Sequence, residues 1–193
     1  VKNRERMIQE YQVSGFRVRE YEELGSTNTE TERVGWNELE DKMVILTYRQ
    51  TQGRGQVGNH WESEPGKNIS MTVVFKPREL PAGQQFAVSM VIALGACDFI
   101  SRYVSGCSVK WPNDIYVGDR KISGILIEHS IMGRYVGGSL CGIGVNINQE
   151  RFLSDAPNPV SLFQLIGKEI PVKRALEELL DCIEKRYETI RDY

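Results

Sequence analysis

The sequence predicts an α+β domain built on a mixed, mainly antiparallel sheet. Two observations predict this class: short apolar runs follow one another with hairpin-like turns between them, and few helical patterns separate those runs. The chain has 193 residues, of which 40% are hydrophobic, which is enough for one sizeable core. No repeat, low-complexity tract or linker divides it, so we expect a single domain over residues 1–193.

The strand predictions rest on apolar runs bounded by turn residues. Gly118-Asp119-Arg120 and Met132-Gly133-Arg134 each mark a tight turn between two such runs. The expected strands are Met43–Thr47, Ile69–Phe75, Val109–Trp111, Ile115–Val117, Ile122–Glu128 and Tyr135–Val145.

Helices are predicted from apolar residues at helical spacing and from start signals. Thr27 with Glu30 fits a capping box at the start of a first helix. A second helix is expected within Gly83–Val104, with its apolar residues at Phe86, Met90, Leu94, Cys97 and Val104. The last helix opens after Pro171 and carries one apolar stripe of Val172, Ala175, Leu176, Leu179, Leu180, Ile183, Tyr187 and Ile190.

Charge and cysteine content narrow the class of protein. The net charge of −2 lacks the basic excess of a general nucleic-acid binder. The four cysteines, at 97, 107, 141 and 182, form no C-x-x-C pair, so buried free thiols in a reducing cytosol are favoured over a zinc site. No segment approaches about 18 apolar residues and the first residues are not a signal peptide, so we expect a soluble cytoplasmic protein.

The stretch QTQGRGQVGNHW, residues 50–61, has three glycines at the spacing of a dinucleotide-binding loop. That function requires a helix starting at the third glycine, whereas Pro65-Gly66 follows and no helical period is present. The alternatives are a surface loop without a ligand, or a loop whose backbone N–H groups and Arg54 hold a phosphate or carboxylate. Trp61 either packs on a ligand ring or closes the loop on the core.

A second polar group of residues is Lys110-Trp111-Pro112-Asn113-Asp114, followed by Lys121. If the residues between them form a hairpin, the two lysines converge beside one carboxylate, an arrangement suited to a polyphosphate with Mg²⁺. The alternative is a surface hairpin with solvated lysine ends. Asn146, after a glycine-bearing strand, either contacts a base, ribose or phosphate or belongs to an ordinary strand-end turn.

The sequence offers no covalent nucleophile. His60 and His129 have no acid partner at a telling spacing, and G-x-S-x-G, H-E-x-x-H and Walker A motifs are absent. The expected chemistry is therefore transfer between bound substrates, driven by positioning and positive charge.

Four motifs together resemble the catalytic domain of biotin–protein ligases. GRGQVGNHW resembles that family's glycine-rich loop, G-R-G-R-x-G-R-x-W, and KWPNDIYVGDRKISGIL is similar to its K-W-P-N-D followed by K-x-x-G-I-L. Ser26-Thr27-Asn28 resembles its S-T-N motif, and GIGVNIN its G-x-G-x-N strand. They occur in the family's order across residues 26–148.

The resemblance implies a class II aminoacyl-tRNA-synthetase-like fold with helices packed on one face of the sheet. It also implies that biotin and MgATP form biotinyl-5′-AMP, and that biotin then passes to a lysine of a carboxylase's biotin carboxyl carrier domain. The partner's lysine is the nucleophile of the second step. Relatives that pair sheet edges suggest a homodimer, which unsatisfied strand edges here would allow.

The resemblance also assigns residues by position. Lys121 and Arg54 are the expected catalytic cations, and Asp114 is the candidate near Mg²⁺. Biotin is expected to contact Ser26, Thr27, Asn28, Gln50, Arg54, Gly55, Gln56 and Lys121. ATP is expected to contact Asn59, Trp61, Lys110, Asn113 and Asn146.

The chain departs from the family pattern at Gln56 and Asn59, where arginines are expected. We hypothesise that the site holds the adenylate or triphosphate less strongly, or recovers the charge from Arg49 or Lys67. About 25 residues precede the S-T-N motif and the chain ends in RYETIRDY, so neither a DNA-binding helix-turn-helix nor a C-terminal β-barrel is expected.

Two other functions remain open at this stage. A lipoate or octanoate ligase or transferase shares the fold by resemblance, but its R-R-x-S-G-G-G-A-type loop does not match Arg54-Gly55-Gln56. A non-catalytic biotin or nucleotide sensor would fit the loss of two arginines, but Arg54 and Lys121 are both present.

Overall fold

The computed structural model describes residues 6–56, 58–154 and 158–190. Val57 of the glycine-rich motif and residues 191–193 of the expected last helix lie outside them. The strands are β1 (Met7–Val13), β2 (Phe16–Tyr21), β3 (Met43–Thr47), β4 (Gly53–Arg54), β5 (His60–Trp61), β6 (Ile69–Phe75), β7 (Cys107–Lys110), β8 (Asp114–Val117), β9 (Arg120–Met132) and β10 (Tyr135–Val145). The helices are α1 (Thr27–Val34), α2 (Phe86–Ser101), α3 (Leu162–Ile166) and α4 (Val172–Tyr187).

Eight strands form one sheet in the order β1-β2-β3-β6-β10-β9-β8-β7, and β4 pairs with β5 separately. The pair β2–β3 is parallel and the other neighbours are antiparallel, which confirms the prediction of a mixed, mainly antiparallel sheet. β3, β6 and β10 have the predicted bounds, because each is a buried apolar run that ends in turn residues. β1 and β7 are the sheet's edges.

The two faces of the sheet have different surroundings, as the alternation along β6 shows. Met71, Val73 and Phe75 point into the main core, which also contains the buried residues of α2 and α4. Ser70 and Thr72 alternate with them on the other face, where the Thr72 hydroxyl donates to Asn28 of α1. The two long helices therefore share one face as expected, whereas α1 lies on the opposite face.

The second helix is confirmed as α2, inside the predicted range, but not all of the apolar residues that predicted it lie on its buried face. Phe86, Met90 and Leu94 are 50%, 46% and 40% exposed, whereas the buried side includes Ile92 and Phe99. This helix is apolar on nearly all sides, so spacing alone could not indicate which side meets the core. Close packing against α4 determines which side of α2 is buried.

We expected no segment to be long and apolar enough to span a membrane, and this expectation is wrong. Ala82–Ser101, which is α2 with the short 3-10 turn before it, is long and apolar enough to cross a bilayer. Half of this segment is buried inside the domain. A Cβ built on Gly95 would lie 2.9 Å from the Ile183 backbone, so α2 packs directly on α4, as the core helix of a soluble protein does.

The last helix is confirmed, with Pro171 as the residue before its first turn and the predicted stripe buried from Ala175 to Tyr187. The first helix is also confirmed, but its capping box is wrong because Ser26 is the N-cap and makes no side-chain capping bond. Trp111 lies just outside β7. The β1–β2 hairpin and α3 were not predicted.

Candidate active site

A cavity of about 630 Å³ opens between α1, the β4–β5 hairpin and the sheet face formed by β8, β9 and β10. It brings together all but one of the residues that the resemblance assigns. The predicted residues that line it are Ser26, Thr27, Asn28, Gln50, Arg54, Gly55, Gln56, Asn59, Trp61, Lys110, Asn113, Asp114 and Lys121.

The glycine-rich segment is a hairpin rather than an unstructured loop. Gly53 pairs with Trp61 and Arg54 with His60. At its tip the Gly55 N–H donates to the Asn59 carbonyl at 3.0 Å. A strand, not a helix, follows the third glycine, which agrees with the exclusion of a dinucleotide-binding fold.

Trp61 anchors this hairpin on the sheet. Its ring lies against Gly124 and Gly144, which face each other across β9 and β10. A Cβ on Gly144 would stand 2.3 Å from the Trp61 ring, and one on Gly124 would stand 2.9 Å from it. Trp61 thus closes the hairpin on the sheet and also lines the cavity, and its contact with ATP stays a prediction. Sequence reasoning did not identify Gly124 and Gly144 as the surface on which Trp61 packs. The spacing of Gly142 and Gly144 could have indicated it, because residues two apart on a strand lie on the same face, and two glycines leave that face without side chains.

The Ser26-Thr27-Asn28 motif is fixed by hydrogen bonds to distant strands. The Asn28 amide nitrogen donates to the Glu128 carboxylate at 2.9 Å, and its oxygen accepts from Thr72 at 2.7 Å. The Thr27 backbone N–H donates to the Gln50 side-chain oxygen at 3.0 Å. Gln50 is thereby held at the N-terminus of α1, beside the hairpin.

Arg54 bridges two carboxylates at the mouth of the cavity. Its guanidinium donates to Glu32 of α1 and to Glu128 of β9, each at 2.9 Å. The hydrogen bond to Glu32, followed by the charge of Glu128, raises the pKa of Arg54 above its usual value. Sequence reasoning missed both carboxylates, because their sequence separations from Arg54 of 22 and 74 residues carry no local signal.

The predicted convergence of the two lysines is confirmed. β8 and β9 form the hairpin, and Lys121 forms an ion pair with Asp114, with Nζ and Oδ1 2.8 Å apart. Lys110 Nζ lies 3.3 Å from the Tyr116 hydroxyl and 4.7 Å from the centre of that ring. Both lysines line the cavity.

Asn146 is the predicted site residue that the structure leaves out of the cavity lining. It is 3% exposed, and its amide nitrogen donates to the Val160 carbonyl at 3.0 Å. Asn146 therefore ties the end of β10 to the segment before α3, and its contact with ATP stays a prediction.

The cavity lining carries three cations in a protein whose net charge is −2. Arg54, Lys110 and Lys121 line it together with Asp114, and Arg54 is also paired at the mouth with Glu32 and Glu128. Among the described residues, no three His, Cys, Asp or Glu side chains cluster as a metal site of their own. The lining thus suits an anionic ligand, and any divalent cation would need oxygen ligands from that ligand as well.

This sheet, with two long helices on one face and the cavity on the other, is the fold of class II aminoacyl-tRNA-synthetase-like ligases. Residues 22–146 match the model of the biotin/lipoate A/B protein ligase family. Because the match covers more than half of the chain, the chain belongs to that family.

Similar proteins are biotin ligases. The bifunctional ligase/repressor BirA of Bacillus subtilis is 28% identical over 94% of this chain and 56% of its own length. The biotin–[acetyl-CoA-carboxylase] ligase of Paracoccus denitrificans is 32% identical over 63% of this chain and 51% of its own length. The chain thus spans about half the length of these curated relatives.

Among solved structures, the biotin protein ligase of Aquifex aeolicus in complex with biotin and ATP aligns with a TM-score of 0.75 and 26% identity. The alignment covers 90% of this chain and 71% of that one. The resemblance read from the four motifs is therefore confirmed at the level of family and fold.

Proposed function

We propose that the protein is an ATP-dependent biotin–protein ligase. It would form biotinyl-5′-AMP from biotin and ATP and transfer the biotinyl group to a lysine of a biotin carboxyl carrier domain. The observation that carries the proposal is the meeting of the S-T-N residues, the Arg54 hairpin and the two lysines Lys110 and Lys121 around one cavity. That cavity has the size of an ordinary small-molecule site.

The biotin end of the cavity is assigned to α1 and the hairpin. The ureido ring of biotin needs both donors and acceptors, and the side chains of Ser26, Thr27 and Gln50 supply them. Ser26 makes no capping bond, so its hydroxyl remains available to a ligand. The Asn28 amide is hydrogen-bonded to Glu128 and Thr72. It would fix the position of α1 at this end of the cavity as well as contact biotin.

The first reaction step needs positive charge between the two substrates. A biotin carboxylate oxygen attacks the α-phosphorus of ATP, the bond to the β-phosphate oxygen breaks, and pyrophosphate leaves. Lys121 and Arg54 would stabilise the charge that develops on the carboxylate and the α-phosphate, and Lys110 would hold the leaving phosphates. No covalent bond to the protein is required.

In the second step the amine of the carrier lysine attacks the acyl carbon and AMP leaves. The cavity contributes by holding the adenylate in place and away from water until the carrier arrives. The carrier supplies the nucleophile, which explains why this site needs none.

Mg²⁺ would enter with ATP as part of the substrate. Asp114 fits the role of a protein ligand, because it is the carboxylate in the lining and Mg²⁺ commonly takes one or two carboxylates together with phosphate oxygens. Binding there would require Asp114 to exchange its contact with Lys121.

Pyrophosphate–ATP exchange tests the proposal. The full chain is incubated with labelled pyrophosphate, MgATP and either biotin, lipoate or no acid. We expect label in ATP with biotin alone. Exchange with lipoate instead would assign the chain to the lipoate branch of the family, and no exchange by a folded sample that still binds biotin would make it a sensor.

A further inference from the structure

Two free thiols are in contact outside the cavity. Cys97 lies in the second half of α2 and Cys107 is the first residue of β7. Their sulfur atoms are 3.1 Å apart, with the Cys107 thiol donating to Cys97. Neither thiol has a role in the proposed ligase reaction.

These two cysteines differ from the other pair in exposure. Cys97 and Cys107 are only partly buried, whereas Cys141 and Cys182 are buried. The expectation of four buried thiols is therefore wrong for Cys97 and Cys107, which pack at the margin of the core and keep part of their surface exposed.

The contact also makes the two sulfurs unequal. The hydrogen bond from Cys107 lowers the pKa of Cys97, against the opposing effects of burial and of Asp98. The same hydrogen bond, together with burial, raises the pKa of Cys107. Cys97 is thus the readier thiolate, and Cys107 is the thiol beside it.

We propose that Cys97 and Cys107 form a reversible oxidation site, at which a hydroperoxide converts the two thiols into a disulfide that joins α2 to β7. The Cys97 thiolate attacks the peroxide oxygen, the O–O bond breaks, and Cys97 becomes a sulfenic acid while hydroxide or alkoxide leaves and takes up from solvent the proton that Cys97 had released. The Cys107 sulfur then attacks the Cys97 sulfur and hydroxide leaves, taking the Cys107 proton as water. Two thiols lose two electrons and the peroxide gains them.

The site is connected to the cavity by β7. A disulfide requires an S–S distance of about 2.05 Å, so the sulfurs must approach by about 1 Å. Lys110, the last residue of β7, lines the cavity. Oxidation therefore acts on the strand that carries one of its cations, and this inference does not depend on which ligand the cavity holds.

The test is thiol counting and mass spectrometry on the reduced full chain before and after hydrogen peroxide. When the chain is unfolded for alkylation, we expect the reactive thiols to fall from four to two, with an intact mass lower by two hydrogen atoms and a peptide cross-link between Cys97 and Cys107. Dithiothreitol should restore all four. Cys107→Ser should instead give a sulfenic acid at Cys97 that a dimedone-type reagent traps, and the control Cys182→Ser should form the cross-link like the wild type.

Two results would overturn the proposal. One is that both thiols stay alkylatable after peroxide, and the other is that Cys97 proceeds to a sulfinic acid while Cys107 remains free. The wild-type mass measurement needs no variant, so a folding defect in a serine variant does not affect the decision.

Discussion

Each cation in the cavity lining already has a protein partner. Arg54 is held by Glu32 and Glu128, Lys121 by Asp114, and Lys110 lies over the ring of Tyr116. A substrate phosphate or carboxylate competes with these partners, and the exchange favours the substrate only where its charge is greater or better placed. Charge substitutions in the lining should therefore act on catalysis strongly and on stability weakly.

Lys121→Met should lower the rate of biotin-dependent pyrophosphate–ATP exchange about 10²–10³-fold, because it removes a positive charge aimed at the reacting centre. The matched control is Lys168→Met, at an exposed lysine between α3 and α4. Steady-state exchange kinetics on both variants is the measurement. Equal rates in the two variants would remove Lys121 from the catalytic machinery.

Gln56→Arg should slow the release of biotinyl-5′-AMP, because it adds a positive charge to the hairpin tip that lines the cavity. Arg49 and Lys67 do not line the cavity. The Arg49 guanidinium pairs with Glu23 at 2.7 Å, and the Lys67 ammonium pairs with Glu169 at 2.8 Å. Neither is placed to replace the missing arginine. The measurement is the release rate of labelled biotinyl-5′-AMP from the wild type and from Gln56→Arg. Equal rates would count against the hypothesis that the missing arginine weakens the hold on the adenylate.

At the scale of elements, the β4–β5 hairpin is the cover of the cavity, and it is attached to the sheet at two points. Trp61 packs on Gly124 and Gly144, and Arg54 reaches Glu128 further along β9. The hairpin itself has only four strand residues, too few to be stable alone. Its position therefore depends on these two attachments, which can be tested separately.

Gly144→Ala should destabilise the domain by about 1–3 kcal/mol, because the new methyl group overlaps the Trp61 ring. Made in a Trp61→Ala background, the same change should cost much less, since the ring is gone. Urea unfolding of the wild type, the two single variants and the double variant gives the coupling. Additive costs would show that Trp61 is not what excludes a side chain at residue 144.

Glu128→Gln should raise the KM for biotin more than Glu32→Gln does. Glu128 holds both Arg54 and Asn28, whereas Glu32 holds Arg54 alone. Exchange kinetics with biotin varied at saturating ATP measures the difference. A larger effect from Glu32→Gln would contradict this order.

At the scale of the whole molecule, the sheet separates a helix layer from the site. α2 and α4 pack on each other and are joined at their surface by charged pairs, among them Arg102–Asp181 at 2.9 Å and Arg186–Asp98 at 2.7 Å. These pairs are exposed, so each contributes little by itself. The pairing of Asp181 makes the stability of this layer depend on pH.

Asp181→Asn should flatten the loss of stability at acid pH. Hydrogen bonds from Arg102 and then Lys185 lower the pKa of Asp181 in the folded state. A carboxylate whose pKa is lower in the folded state than in the unfolded state stabilises the fold. This contribution is fully present above the pKa of the unfolded state, about 4, and is lost as pH falls through the pKa of the folded state. Urea midpoints between pH 6 and pH 3 should fall less steeply for the variant than for the wild type.

The control for this comparison is Asp119→Asn, at the exposed turn between β8 and β9. It should follow the wild-type pH curve. A variant at Asp181 that follows the same curve as the control would show that the ion pairs of Asp181 do not contribute to the pH dependence.

Local chemistry was sufficient for a large part of the molecule. β3, β6 and β10 are predictable because buried strands between turn residues leave a strong local pattern, and α4 because its stripe begins directly after Pro171. The cavity residues were identified through the family resemblance, whose motifs each keep their residue types together within a few positions. Residues 118–120 likewise indicated the hairpin that brings Lys110 and Lys121 to one site.

Tertiary structure alone decided the rest, because those features depend on neighbours distant in sequence. The face of α2 that is buried depends on α4, since an all-apolar helix has no preferred side. The partners of Arg54 lie 22 and 74 residues away, and the contact of Trp61 with Gly144 joins the separate hairpin to a central strand of the sheet. The sequence by itself thus determined most of the elements and, through the family resemblance, nearly all of the predicted residues that line the cavity. The tertiary structure decided which side chains hold those residues in place, because that choice is made by packing across the fold.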